Sequence, residues 1–320
     1  MSRTRVHLIA VTVLVVLVML AVPAAAQYPT KALELVIPWT PGSASDLAVR
    51  MLARYAEKHL GQAIMPVNQV GGNGAVAWTY ASKAKPDGYT ITLVTFDVLT
   101  NQAMGSDVKF DTFDYLLQFS HQPMGIYVHK DSPYRTLQEL VNAAKARPGG
   151  IKVGTTGLGG LLHQAAYLVE KKYGVKFNIV PFKGSAEILA AELGRHVDAD
   201  VNTTTLAAQH IKAGTLRMLL SFGAERLRDY ADVPSIKELG ISESGFESWR
   251  AVGIPKGGPV AVKSKLASAF KKAYDDPEYQ ELAKKSNYDL HYRSNGDFQK
   301  FAAQQYPMVV TTLKGIGYAK

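Results

Sequence analysis

Two hydrophobic periods take turns along this chain. Residues 33–39 (LELVIPW) form a short apolar run suited to a buried strand, and behind it Leu47, Met51, Leu52 and Tyr55 recur at three- and four-residue steps, with Arg50, Arg54 and Lys58 between them. The first pattern predicts a strand and the second an amphipathic helix, joined by the small-residue loop Thr40-Pro41-Gly42-Ser43-Ala44-Ser45-Asp46. Gly61 stops the helix, residues 64–67 predict the next strand, and Gly71-Gly72-Asn73-Gly74 leads into a helix over 75–83. The turn Pro86-Asp87-Gly88 precedes a buried strand at 90–95.

After a loop-rich stretch the unit returns. Residues 124–129 read as a strand, Thr136 heads a helix, and Pro148-Gly149-Gly150 breaks it. Strand 151–154, the glycine-rich loop 155–160 and helix 161–173 follow, with Leu162, Ala165, Ala166 and Val169 on one helix face. Strand 177–181 runs into Lys183-Gly184-Ser185, the cap of a helix over 186–193. Strands at 197–201 and 216–222 flank a helix at 204–213, a strand is expected at 246–254, and the tail is helical over 260–274, 277–285 and 296–313. Alternating strands and helices predict an α/β protein with largely parallel sheets covered by helices. No repeat of 20 to 50 residues is present, which excludes a solenoid.

The first 26 residues change the picture of where the chain works. Arg3 and Arg5 precede an apolar run over 8–22, then Pro23 and Ala24-Ala25-Ala26, the three-part pattern of a cleaved secretory signal. Cleavage is expected after about Ala26, leaving 320 − 26 = 294 residues, enough for two domains. With no cysteine the chain carries neither a lipidated cysteine nor a disulfide, and a bacterial periplasm is the expected compartment. The formal charge of +9 falls to 9 − 2 = +7 without the leader, a surface that favours the approach of anions. No run of adjacent lysines or arginines interleaves with aromatics, so nucleic acid is not an expected partner.

Three strand-to-helix loops of small residues (41–46, 155–160 and 183–185) carry the candidate chemistry. The first amides of a helix lack internal partners and sit at the positive end of its dipole, so small residues there let an anion approach. Ser43, Ser45, Thr155, Thr156 and Ser185 add hydroxyls. Neither a GxxxxGK[ST] loop nor a GxGxxG fingerprint occurs, so a carboxylate fits at least as well as a phosphate. The eight histidines lie too far apart for an HExxH helix, and no metal site or cofactor is expected. The segment 240–245 (GISESG) misses the GxSxG elbow by one position, and no nucleophile with a nearby base is evident, which speaks against an enzyme. His163 either faces a ligand or packs beneath its loop. Asp46 either accepts a ligand N–H or ties down its own turn. Lys183 either neutralises an anion or is an ordinary surface lysine, and Trp39 and Phe96 either end strands at a pocket or belong to the core.

The segment 37–46 (IPWTPGSASD) resembles the PFxPGGxxD start of the tripartite tricarboxylate transporter receptors, the TctC or Bug family. Later features agree in order: Gly71-Gly72-Asn73-Gly74, KPDGYT at 85–90, GTTGLGGLLH at 154–163, VPFKGS at 180–185, IKAGTLRM at 211–218, DVPS at 232–235 and Glu247-Ser248-Trp249. The resemblance implies a type II periplasmic-binding-protein fold, with two doubly wound lobes and a ligand cleft between them. Lobe 1 would be 27–127 plus 250–320, and lobe 2 would be 128–249. It also implies capture of a small organic carboxylate, a di- or tricarboxylate or aromatic acid, by a monomer that hands it to the membrane subunits of a transporter. A periplasmic sensor presenting ligand to a kinase is the alternative, and a hydrolase ranks below both. The positions carried over for the ligand are Thr40, Gly42, Ser43, Ala44, Thr155, Thr156, Gly157, His163 and Lys183, and the residue reading adds Trp39, Asp46, Asn73, Phe96, Ser185 and Asn202. Two departures stand out: Ser43 replaces the usual second glycine, and Asn202-Thr203 replaces an aspartate, which disfavours an amino-acid ligand.

Overall fold

The computed structural model describes residues 28–241 and 248–319. The leader with its cleavage point, and the first two residues of the strand expected at 246–254, lie outside the described residues.

The chain builds one sheet, leaves it, builds a second, and returns. The first pass gives β1 (Leu33–Ile37), α1 (Ala44–Leu60), β2 (Ile64–Asn68), α2 (Ala75–Ser82), β3 (Thr90–Thr95), α3 (Asp97–Ala103) and β4 (Phe113–Gln122). The second lobe contains β5 (Met124–His129), α4 (Leu137–Ala146), β6 (Lys152–Thr156), α5 (Leu161–Tyr173), β7 (Asn178–Phe182), α6 (Ser185–Leu193), β8 (Ala199–Thr203), α7 (Thr204–Lys212) and β9 (Leu216–Ser221). The return adds β10 (Ser248–Pro255), α8 (Val260–Asp275), α9 (Pro277–Lys285), β11 (Leu290–Ser294) and α10 (Asn295–Ile316). The sheet orders are β11-β4-β10-β3-β1-β2 and β7-β6-β8-β5-β9.

The sheets are mixed rather than largely parallel. β1 pairs in parallel with β2 and β3, and β6 with β7 and β8, as alternating strands and helices require. The two strands that arrive from the other lobe enter antiparallel: β5 between β8 and β9, and β10 between β3 and β4. The lobe boundaries shift accordingly. Residues 124–127, assigned to lobe 1 from sequence, pair in the second sheet, and Ser248 and Trp249, assigned to lobe 2, pair in the first.

Three elements lay hidden in stretches read as loop or turn. β4 is buried on both faces, so FDYLLQFSHQ shows no alternation, and its Gln118, Ser120 and Gln122 broke the apolar run. α3 and β11 are short. The buried face of α1 is also rotated from the one expected: Leu47 is 43% exposed, while Ala48, Val49, Leu52, Ala53 and Ala56 pack on the sheet. Alanines let α1 and α8 lie close over that sheet, where Leu266, Ala269 and Phe270 share the same core. The α5 face is as expected, with Leu162, Ala165, Ala166 and Val169 all buried. Trp249 is fully buried and donates to Gln305 Oε1 at 2.8 Å, tying β10 to the long C-terminal helix α10.

Beneath the second sheet, Glu192 of α6 and Asp200 of β8 are both fully buried. Desolvation raises both carboxyls well above their usual range, and for Glu192 repulsion from Asp200 adds to it. In the unfolded chain they titrate near pH 4. Above that value the fold retains protons that the unfolded chain has released, so stability falls as pH rises towards the shifted values. Burial lowers His121 and His163 to about 4, which acts in the opposite sense only below about pH 6.5. Urea denaturation should therefore show stability declining from about pH 7 to 9, and Glu192→Gln should roughly halve that decline by removing one of the two proton uptakes. An unchanged slope in the variant would remove the pair as its source.

Candidate ligand cleft

The carboxyl ends of the parallel strands in both sheets converge on one interlobe cavity of ≈ 40 Å³. The first lobe contributes Trp39, Ser43 and Ser45 after β1, Thr95, Phe96 and Asp97 at the end of β3, and Ser248 and Arg250 at the start of β10. The second contributes Thr156, Leu161, Leu162, Ser185 and Thr203 from the ends of β6, β7 and β8 and the helices after them. A larger groove of ≈ 710 Å³ lies elsewhere on the lobe junction, lined by Thr205, Asp229 and Lys284 among others, away from these strand ends.

The first turn is fixed from within. Gly42 takes φ +79°, a left-handed conformation that suits glycine, and Ser43 caps α1 by accepting from Asp46 N at 3.3 Å. The Asp46 carboxylate accepts from Gly42 N at 2.9 Å, Arg50 Nε at 2.8 Å and Asn68 Nδ2 at 2.8 Å. Asp46 thus ties its own loop and does not line the cavity.

Hydrogen bonds join the lobes around the cavity. Ala44 N donates to Ser185 Oγ at 3.1 Å, and Leu161 N donates to Asp97 Oδ1 at 2.9 Å. Gln164 Nε2 donates to Thr100 Oγ1 at 2.9 Å, and Asn73 Nδ2 to the Leu158 carbonyl at 2.9 Å. Loop backbones approach closely enough that a side chain at Gly157 would overlap Asn73 and one at Gly184 would overlap Thr40. These contacts correct the sequence picture of free helix-start amides converging on a guest. At α1 and α5 a leading amide already serves the opposite lobe, and at α5 the anion on the helix N-terminus is the protein's own Asp97.

The charge presented to the cavity is instead Arg250. Its side chain is 1% exposed, Nε donates to Ser45 Oγ at 2.9 Å, and one terminal nitrogen reaches the Ser248 carbonyl at 3.5 Å. No carboxylate pairs with it among the described residues. Burial lowers the guanidinium to about 10, so it stays protonated at neutral pH. Asp97 is raised to about 6 by burial, against the pull of the Leu161 amide, its own amide and Thr95. Other polar atoms of the lining, Trp39 Nε1 and Thr203 Oγ1 among them, are buried without a hydrogen-bond partner. Phe96, Leu161 and Leu162 supply apolar wall.

Of the residues expected from sequence, Trp39, Ser43, Phe96, Thr156 and Ser185 line this cavity. At its rim Ala44 and Asn73 hydrogen-bond to the opposite lobe, while Thr40 lies close to Gly184 and Gly157 close to Asn73. Gly42 shapes the turn, Thr155 is buried outside the lining, and Asn202 donates to the Ser185 carbonyl at 3.1 Å and so orients that residue. His163 is buried, and its Nδ1 accepts from Gly159 N at 2.9 Å; with a value near 4 it is neutral and braces the loop. Lys183 lies on a neighbouring groove of ≈ 550 Å³ that shares Trp39 with the cavity and is also lined by Asn73 and Gly157. Ser45, one of the expected loop hydroxyls, also lines the cavity, whereas sequence reasoning missed Thr95, Asp97, Leu161, Leu162, Thr203, Ser248 and Arg250. For Arg250 a signal existed: one charged residue inside the apolar run WRAVGI.

Comparison with known proteins agrees with this architecture. The model of the tripartite tricarboxylate transporter family receptor, TctC, matches residues 48–317. The "UPF0065 protein in gbd 5'region" of Cupriavidus necator is 34% identical over 307 residues, covering 94% of this chain and 93% of that protein. Protein BugT of Bordetella pertussis is 28% identical over 244 residues, 74% of this chain and 75% of its own. Among solved structures, the periplasmic binding protein BugD superposes with a TM-score of 0.84 at 26% identity, covering 92% of this chain and all of BugD. An R. palustris protein solved with adipate gives 0.83 at 25%, covering 91% and 99%. The two-lobed α/β fold is therefore that of the periplasmic binding proteins, and the chain belongs to the tripartite tricarboxylate transporter receptor family, a family of substrate-binding receptors.

Proposed function

We propose that this protein is exported to the periplasm, where it encloses a small organic carboxylate between its lobes and presents it to the membrane subunits of a tripartite tricarboxylate-type transporter. The observation that carries the reading is the buried, protonated Arg250 guanidinium on the interlobe cavity, with no carboxylate partner among the described residues. A charge removed from water is costly unless an opposite charge joins it, and a carboxylate is a planar match for a guanidinium. The unpartnered Trp39 Nε1 and Thr203 Oγ1 offer that anion further hydrogen bonds. The likeness to the R. palustris protein solved with adipate supports the same ligand class. The family resemblance supports the transporter as recipient.

Closure follows from the same geometry. Ser185, Thr156 and Thr203 reach the cavity only when lobe 2 rests on lobe 1, as the bonds from Ala44 to Ser185 and from Leu161 to Asp97 record. Binding and closure are then one event, and the closed form is the species a membrane partner reads.

Calorimetry with a carboxylate identified by thermal shift should show Arg250→Gln weakening binding by about 10- to 100-fold, the loss of a charge-assisted hydrogen bond worth about 1.5 to 3 kcal/mol. An unchanged Kd would remove Arg250 from the site. Asn73→Ala should act differently, because Asn73 touches the opposite lobe at the rim and not the cavity. Affinity for every ligand should drop by about two- to tenfold with the order of preference preserved, the effect of one lost neutral hydrogen bond on closure. A change in ligand order would show that Asn73 contacts the ligand.

A further inference from the structure

Resting on the receptor reading, we infer that the cleft selects a short monocarboxylate, and that Asp97 excludes acids carrying a second carboxylate.

The inference starts from the charges on the cavity wall. Among the described lining residues, Arg250 is the one cation and Asp97 the one carboxylate. Both side chains are buried, at 1% and 4% exposure, so water does little to screen them from a guest. The first carboxylate of a ligand pairs with Arg250. A second would find no cation in the lining and would share a confined space with Asp97, a like charge that disfavours it.

Asp97 cannot turn away to make room. Its Oδ1 accepts the Leu161 amide from the other lobe at 2.9 Å, and that bond forms part of the closed lobe junction. Swinging the carboxylate out would strand the first amide of α5 in the same buried space. The closed cleft therefore holds its negative charge in place.

Size points the same way. A cavity of ≈ 40 Å³ offers about as much room as three water molecules, which suits a carboxylate with a body of a few carbons. Phe96, Leu161 and Leu162 face that body with apolar surface. Trp39 Nε1 and Thr203 Oγ1 on the wall are matched by carboxylate oxygens or by one hydroxyl or keto oxygen beside them. Among the described residues, Lys183 lies on the neighbouring groove beyond Trp39, within reach only of a long diacid that extends out of the cavity.

The test is a calorimetric series at pH 7.5 in which acids of equal carbon number are compared. Propionate, lactate and pyruvate are set against malonate, and butyrate against succinate and malate, with adipate included to probe the outward route. The expected result is that the best monocarboxylate binds at least tenfold tighter than any diacid of its length. Diacids of equal carbon number binding within tenfold of the best monocarboxylate, or more tightly, would overturn the inference and leave the receptor reading intact. Failure of both series to bind would instead sink the receptor reading. Asp97→Asn supplies the second measurement. It keeps an acceptor for the Leu161 amide and removes the charge, so the mono-to-diacid preference should shrink at least fivefold. A preference unchanged in a folded variant would show that Asp97 does not set it. Should the variant not fold, the wild-type series decides the matter alone.

Discussion

A guanidinium sealed from water without a counter-charge among the described residues is the constraint around which the cleft is organised. Arg250 sits on β10, the strand that re-enters the first sheet from the second lobe, and it holds Ser45 at the start of α1. Its position follows from topology. β10 runs antiparallel to β3, so its first residues lie beside the carboxyl end of that strand, where Thr95 pairs with Arg250 and Asp97 begins α3. The crossover that makes two lobes also delivers the cation to the place where they meet. Tyr288 helps to fix the same corner by donating to the Ala44 carbonyl at 3.1 Å.

The rest of the cleft manages what helix ends leave exposed. Two lobes that close on each other bring helix N-termini into a shared, poorly hydrated space, and each orphan amide there needs an acceptor. The structure answers with its own side chains, Ser185 for α1 and Asp97 for α5. Glycines at 157 and 184 let the loops come near enough to do so. The dipoles are therefore used to join the lobes, and under the proposed function this leaves the arginine to meet the guest. This division of labour explains why residues that looked alike in the sequence do different work. Ser43 and Ser185 reach the cavity, whereas Gly157 and Asn73 meet between lobes and Asp46 ties its turn to Arg50 and Asn68 within the first lobe.

Much of the fold was legible because its periods are clean: the β1–α1, β6–α5 and β7–α6 units alternate an apolar run, a small-residue loop and a helix. β4 was not, because burial on both faces removes the alternation and polar residues near the crossover interrupt it. The cavity residues at loop starts, Trp39, Ser43, Thr156 and Ser185, were legible for the same reason as the units. Arg250 and Asp97 were not. One charge in an apolar strand and one aspartate in the first turn of a helix each have an ordinary local explanation, and only the three-dimensional juxtaposition shows that neither applies. At the end of β8 the strand alternation separates neighbours: Asn202 turns to the Ser185 backbone and Thr203 to the cavity.

The same arginine bears on how a receptor of this kind could report occupancy. Interlobe hydrogen bonds favour closure whether or not a guest is present, and if they were sufficient the closed form would carry no information. Arg250 opposes them if no anion is present, because it lies buried on the cavity where the lobes meet, and closing that space over a charge excludes the water that would solvate it. Each neutral hydrogen bond across the junction contributes only about 0.5 to 1.5 kcal/mol net, whereas leaving a charge buried and unpaired costs several. A carboxylate beside the guanidinium removes that penalty, so its contribution to closure is larger than the bonds it forms. Asp97 sharpens the effect: it lies in the same cavity without contacting Arg250 in the closed junction, since its Oδ1 is committed to the Leu161 amide, and so the protein does not fully neutralise its own cation. On this account selectivity and signalling have one physical origin, the cost of covering a positive charge that the chain leaves for its ligand to balance.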